Sequence, residues 1–178
     1  MMTKDWLIVI VPFIGLLVIV QYPIIFWLLI IGVGLYFYFK FKAKKDLEKK
    51  ILESGIKEID VMQGEEFEQY LAVLFRDMGY KVETTPRSGD YGADLILEKA
   101  REVIAVQVKR YNRTVGLDAV QQVSSAIPFY NAHKGWVITN NRFSESAYTL
   151  ARKNNIQLIN REQLIELISH RNRIKKIQ

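Results

Sequence analysis

The sequence contains no cysteine and only two histidines, His133 and His170. That absence excludes disulfides, iron–sulfur clusters, thiolate zinc sites and a cysteine nucleophile, so any protein-bound metal must be a hard cation held by oxygen. Charge is missing from one region altogether. Residues 6–39 carry nothing ionisable apart from tyrosines, whereas the remainder has an ordinary mixture of charged, polar and apolar side chains. The near-neutral mean hydropathy is therefore an average over two unlike parts. Lys4 and Asp5 cancel, so the net charge of +6 belongs to the chain after residue 39. An excess of that sign suits a polyanion or an anionic membrane surface. Internal repeats, low-complexity tracts, zinc fingers and RNP strands are absent too.

What stands in the uncharged region is two apolar runs, Trp6 to Val20 and Ile24 to Phe39. Each is slightly shorter than the roughly 20 residues that span a bilayer core. Gln21-Tyr22-Pro23 separates them, and proline favours a break, so residues 1–40 are expected to form a transmembrane helical hairpin. Trp6, Tyr22, Trp27, Tyr36 and Tyr38 supply interfacial aromatics. A single long tilted helix is the alternative. A secretory signal is disfavoured by the lone basic residue in front and the lack of a small-residue cleavage site after Val20. Lys40, Lys42, Lys44, Lys45, Lys49 and Lys50 follow the second run, and cationic flanks stay on the cytoplasmic side. The expected localisation is the cell membrane, multi-pass, with the rest of the chain in the cytoplasm. Residues 41–60 read as a basic helical connector, ended by Gly55.

From Gly64 the periodicity predicts helix, three strands, helix, strand, helix, strand, helix. Phe67, Tyr70, Leu71, Leu74 and Phe75 recur at helical spacing, with Gly79 as C-cap. YKVETT, ADLIL and EVIAVQVKRY are β-rich, separated by a Gly-rich loop at 86–92 and a charged turn at 98–101. Leu117 to Ile127 reads as a helix stopped by Pro128, followed by the apolar strand GWVIT. Ser144 reads as an N-cap with Phe143 and Tyr148 as a hydrophobic staple; Asn160 with Gln163 repeats the signal after the short strand QLIN. The pattern implies an α/β domain over residues 61–170, a mixed central sheet covered on both faces, with a basic tail at 171–178.

Asp94 opens the second strand, while Gln107 and Lys109, two apart in the third, share one face. If the two strands pair as a hairpin, a carboxylate, an amide oxygen and an ammonium converge at one end of the sheet. Asp94 and Gln107 suit a hard divalent cation, and Lys109 suits activation of water and the charge of a phosphate. Glu68 on the first helix offers a further carboxylate. The two glycines of GDYGAD mark a place where backbone approaches something closely.

The stretches GEEFEQYLAVLFRDMGYKVETTPRSGDYGADLIL, VIAVQVKRYNRTVGLDAVQQV and GWVITNNRFSESAYTLARKNNIQLINREQLIELI resemble the catalytic domain of Mrr-like restriction endonucleases, a branch of the PD-(D/E)xK nuclease superfamily. The resemblance covers residues 62–168. It implies a restriction-endonuclease-like fold and Mg²⁺- or Mn²⁺-dependent endonucleolytic hydrolysis of DNA. Asp94 takes the metal-binding aspartate position, Gln107 that of its Glu or Gln, Lys109 the lysine, and Glu68 the first-helix glutamate, with Glu66 as alternative. Asp90 matches a supporting loop position. Gln107 departs from the superfamily's usual glutamate, leaving one fewer negative charge at the metal. Arg87, Arg110, Arg113, Lys134 and Arg142, with Gln121 and Gln122, are the expected DNA contacts, and the tail from Arg171 suits DNA or lipid headgroups. The expected partners are DNA, the lipid bilayer and a second copy of the chain. A nuclease-fold module that binds without cutting, and cleavage of RNA, are the competing readings.

Overall fold

The structure is a computed structural model and describes residues 23–53, 55–86, 89 and 91–175. It divides into two compact units, Met1–Lys49 and Lys50–Gln178. In the first, helix α1 (Pro23–Glu53) starts at the proline, which needs no amide hydrogen at a helix N-terminus. Its 18-residue window Phe26–Ala43 is, by length and composition, long and apolar enough to cross a membrane. Trp27, Phe37, Phe39 and Phe41 are each more than 60% exposed by side chain or by ring edge, so packing among the described residues does not account for their apolarity. Among the described residues this is one such helix. The run Trp6 to Val20, and with it the second arm of the expected hairpin, lies outside the described residues.

In the second unit a short helix, α2 (Ile56–Ile59), follows Gly55, where Gly55 N–H donates to Glu58 Oε2 at 2.8 Å. Then come α3 (Gly64–Asp77), β1 (Lys81–Thr84), β2 (Leu95–Lys99), β3 (Glu102–Lys109), α4 (Asp118–Phe129), β4 (Lys134–Thr139), α5 (Glu145–Lys153), β5 (Ile156–Ile159) and α6 (Arg161–Lys175). The sheet order is β1-β2-β3-β4-β5. The first two pairings are antiparallel and the last two parallel. The sheet is therefore mixed, with helices on both faces.

Pleating sorts the core. Leu95, Leu97, Ile104, Val106 and Val108 pack with Phe67, Tyr70, Leu71 and Phe75 of α3 and Leu164 and Ile168 of α6. Ala105, Val137 and Leu158, one step out of phase, pack with Ala119, Val120, Val123 and Ala126 of α4 and Ala147 and Ala151 of α5. Large side chains fill the first face and small ones the second, which lets α4 sit close to the strands. Each buried Leu or Phe contributes about 1.5–3 kcal/mol.

The caps that punctuate these elements are formed. Gly79 takes φ +86°, with its N–H on Arg76 O and that of Tyr80 on Phe75 O. Ala147 N–H donates to Ser144 Oγ, and the Phe143 and Tyr148 rings meet edge to face. Asn160 and Gln163 exchange side chain–backbone bonds at 3.0 Å each. Two boundaries differ from the sequence reading. Pro128 lies inside α4, in its last turn, where few later residues depend on the helix continuing. And α6 runs past Arg171, because Arg171 is buried and its Nε donates to Asp77 Oδ2 at 2.6 Å. That arginine belongs to the core rather than to a tail.

Candidate active site

The antiparallel register sets Leu95 against Val106, so the residue before β2 falls opposite Gln107. Asp94 continues the ladder through its N–H to Val106 O at 2.8 Å. Its carboxylate oxygen Oδ2 accepts from the Gln107 amide Nε2 and, at 2.6 Å, from Val108 N–H. Gln107 is buried, 3% exposed, and Lys109 follows two residues on, half-buried on the same strand face. The preceding loop is pinned: Thr85 Oγ1 donates to Ala93 O at 2.6 Å and Thr85 N–H to Asp94 O at 3.1 Å.

The two helix glutamates differ. Glu66 is exposed and caps its own helix, accepting from Gln63 N–H at 2.7 Å, whereas Glu68 lies one residue pair further in and is half-buried. Both belong to α3, on the opposite side of the sheet from Gln107. Among the described residues no three His, Asp or Glu side chains gather into a ligand cluster. The donor set at the strand ends is a carboxylate beside an amide. Such a set fits Mg²⁺, which keeps several waters and uses one or two carboxylates, better than a fully protein-caged cation. An amide presents either its nitrogen or its oxygen by a half-turn about its last bond, so Gln107 is able to offer an oxygen beside Asp94.

Behind Lys109 stands a polar node that the sequence did not announce. Thr139, opposite Lys109 in the parallel register, donates its hydroxyl to Lys109 O at 2.6 Å. Buried Asn140 accepts from Tyr111 N–H at 3.0 Å through Oδ1 and donates Nδ2 to Asp60 Oδ1 at 3.0 Å. Arg161 clamps Asp60 with two bonds, 2.6 and 2.7 Å, and gives Nη1 to Asn140 O at 3.0 Å. The Arg161 hydrogen bond, joined by that of Asn140, holds the Asp60 carboxyl below its usual range against the opposing effect of burial. The node ties together the segment after α2, the ends of β3 and β4 and the start of α6. Its only local signal was the run Thr139-Asn140-Asn141, three polar residues ending an apolar strand.

The expected DNA contacts separate by position. Arg110, Arg113 and Arg142 lie in the loops that follow β3 and β4, at the end of the sheet where Asp94 and Lys109 lie. Those loops are joined by Val115 N–H to Arg142 O, 2.9 Å, and Ser144 N–H to Val115 O, 3.0 Å. Arg113 and Arg142 are exposed; Arg110 Nη1 donates to Asn112 Oδ1 at 2.6 Å, and Arg113 sits over the Tyr111 ring. Gln121 is exposed on α4. Lys134 is displaced from this group: it opens β4 at the far end of the strands and pairs with Glu102 at 2.7 Å. Arg87 and Asp90 lie outside the described residues.

The restriction endonuclease catalytic family Mrr_cat matches residues 59–168. Among curated proteins no relative matches. Three solved structures are similar in part. One is a protein of unknown function, AF1548, with TM-score 0.47 and 20% identity over 53% of this chain and 56% of that one. The MspJI restriction endonuclease, solved with a 27-mer oligonucleotide, gives 0.44 and 20% over 57% of this chain and 26% of its own. The DNA modification-dependent restriction endonuclease AspBHI gives 0.49 and 19% over 68% and 34%. The chain thus spans about half of the first of these proteins and about a quarter and a third of the other two.

Proposed function

This chain belongs to the Mrr-type restriction endonuclease family, and from that premise we propose that it is a membrane-anchored, Mg²⁺- or Mn²⁺-dependent endonuclease that hydrolyses DNA phosphodiester bonds. The observation that carries the reading is the direct Asp94–Gln107 contact across β2 and β3, with Lys109 next on the same strand face. A carboxylate and an amide able to turn its oxygen toward a hard cation, and an ammonium suited to a phosphate, lie at one end of one sheet.

Asp94 and Gln107 would hold the cation, and Glu68, from α3 across the sheet, would add its carboxylate through metal-bound water. When bound, such a cation neutralises phosphate charge and lowers the pKa of water. Lys109 supplies a fixed positive charge beside the phosphate and orients the attacking water. In the reaction water adds to phosphorus, one P–O bond breaks, and the departing oxygen ends as a hydroxyl carrying a proton from water. Arg110, Arg113 and Arg142 flank this end of the sheet and would bind neighbouring phosphates. The anchor part of the proposal rests on the exposed, apolar first half of α1 and on the lysines of its second half, which by the positive-inside rule would keep the nuclease unit on the cytoplasmic side.

The test is cleavage of plasmid DNA by the full-length chain in detergent. Nicking should require Mg²⁺ or Mn²⁺, stop with chelator, and be lost in Asp94→Ala and Lys109→Ala proteins that melt like the wild type. Asp94→Ala should weaken metal binding, while Lys109→Ala should leave it largely intact and lower kcat. A folded wild type that binds DNA but cuts none of duplex, single-stranded, branched or methylated substrates would establish a binding module instead.

A further inference from the structure

The loop that delivers Asp94 also displays an aromatic ring. Tyr91, three residues before Asp94, is 55% exposed and stacks on Phe129 of α4, itself 50% exposed, with ring centroids 3.6 Å apart and planes 18° from parallel. Tyr130 closes against the Phe129 edge at 4.8 Å. Tyr91 holds this position in the left-handed region, φ +51°, where a bulky residue is strained. Ser125 Oγ donates to its carbonyl at 3.3 Å, and the next residue, Gly92, lies against the backbone of Gln122. Backbone strain that presents an apolar ring to solvent is a feature of binding sites rather than of cores.

We infer that the Tyr91–Phe129 pair is a stacking platform for an unpaired base of the DNA substrate, an inference that rests on the nuclease reading above. Two observations select this occupant. First, the helix side of the platform carries little charge: Asp118, in the first turn, is the one ionisable residue of α4, and the exposed Gln121, Gln122 and Ser125 offer amide and hydroxyl groups. Phosphates and acidic peptides need cations, whereas base edges need neutral donors and acceptors beside an aromatic face. Second, Tyr91 is on the loop that delivers Asp94, and three residues of chain span at most about 10 Å, which is at most roughly three base steps. A paired base has both faces covered by its neighbours, so the platform selects single strands, bulges and flipped bases.

The experiment uses the full-length chain in detergent without divalent metal, so that no strand is cut, and oligonucleotides carrying 2-aminopurine. Binding should quench 2-aminopurine in a single strand and at a one-base bulge, but not in a matched duplex. Tyr91→Gly suits the positive φ and removes the ring without strain; Phe129→Ala removes the other ring. Each should weaken single-strand binding about tenfold and abolish quenching, while matched-duplex affinity stays within about twofold; Tyr91→Phe should keep both. Unchanged single-strand affinity and quenching in both ring deletions would overturn the inference. So would a change in the sedimentation of the DNA-free variant with unaltered DNA binding, which would mark the pair as a contact between copies. If the wild type cuts duplex but gains nothing from unpaired bases, this inference alone fails; if it neither binds nor cuts any DNA, the nuclease reading fails with it.

Discussion

A methyl group at Gly92 should disable this protein, and the structure says by how much. Gly92 adopts φ +92°, and a Cβ built on it would lie 2.1 Å from Gln122 O and 2.5 Å from Gln122 C. Those atoms are helix backbone, with no rotamer to turn aside. Forcing an L-residue into this conformation costs about 1–2 kcal/mol, and overpacking adds about 1–3 kcal/mol, so Gly92→Ala should lose roughly 2–5 kcal/mol. Gly89 is the control: it has φ +75° but open space around its Cβ position, so Gly89→Ala carries the conformational cost alone. At about 4 °C per kcal/mol, calorimetry of the full-length chain in detergent should lower Tm by about 8–20 °C for Gly92→Ala and about 4–8 °C for Gly89→Ala. Cleavage should separate them further. The Gly92→Ala loop must leave α4, which moves Asp94 two residues downstream, so kcat should collapse even well below the melting temperature. Two variants that melt together and cut alike would refute the clash and the clamp it implies.

Arg161→Ala should remove about 1–3 kcal/mol at neutral pH by breaking charge-assisted bonds to Asp60. Because the folded Asp60 carboxyl titrates below its unfolded value, its stabilisation is present above the unfolded pKa, about 3.9, and is lost as pH falls through the folded one. The Tm gap between wild type and Arg161→Ala should therefore narrow as pH drops below 4, and a constant gap would deny the ion pair its role. Gln107→Glu adds a negative charge beside Asp94 and should retain some cleavage with an altered Mg²⁺/Mn²⁺ preference, whereas Gln107→Ala should lose more; equal loss in both would remove Gln107 from metal binding. Tags at either end of the chain, probed in intact cells, should both be inaccessible from outside if the anchor is a hairpin, and an N-terminus labelled from outside would leave a single tilted helix.

The element order from Gly64 onward was legible because each boundary carried a local signal. Gly79, Ser144 with its Phe143–Tyr148 staple, and the Asn160–Gln163 exchange all act within a few residues, the range over which sequence spacing equals distance. What was misplaced or missed is non-local. Nothing near Arg171 in the sequence tells that Asp77 waits beside it, 94 residues away. Lys134, expected among the DNA-contacting loop residues, opens β4, and which end of the sheet it occupies follows from the parallel register with β3, a property of the sheet. The Asp60–Arg161 clamp closes over 101 residues between two surface-looking charges, and no periodicity exposes it.

The GDYGAD loop shows how a correct local reading acquires its meaning only from the fold. Its second glycine, Gly92, does mark a close backbone approach, to the protein's own helix α4 at Gln122, whereas Gly89 does not. The same helix packs Ala119, Val120 and Val123 into the core face that contains Ala105 of β3. Ala105 and Gln107 lie on one face of that strand. Helix α4 therefore touches the loop that carries Asp94 and the strand that carries Gln107, and it sets the two against each other. Substrate contacts alone do not require so tight a glycine. A pair of metal ligands on separate segments, the role we propose for Asp94 and Gln107, would, because a displacement of about 1 Å in either one is enough to spoil a shared cation site.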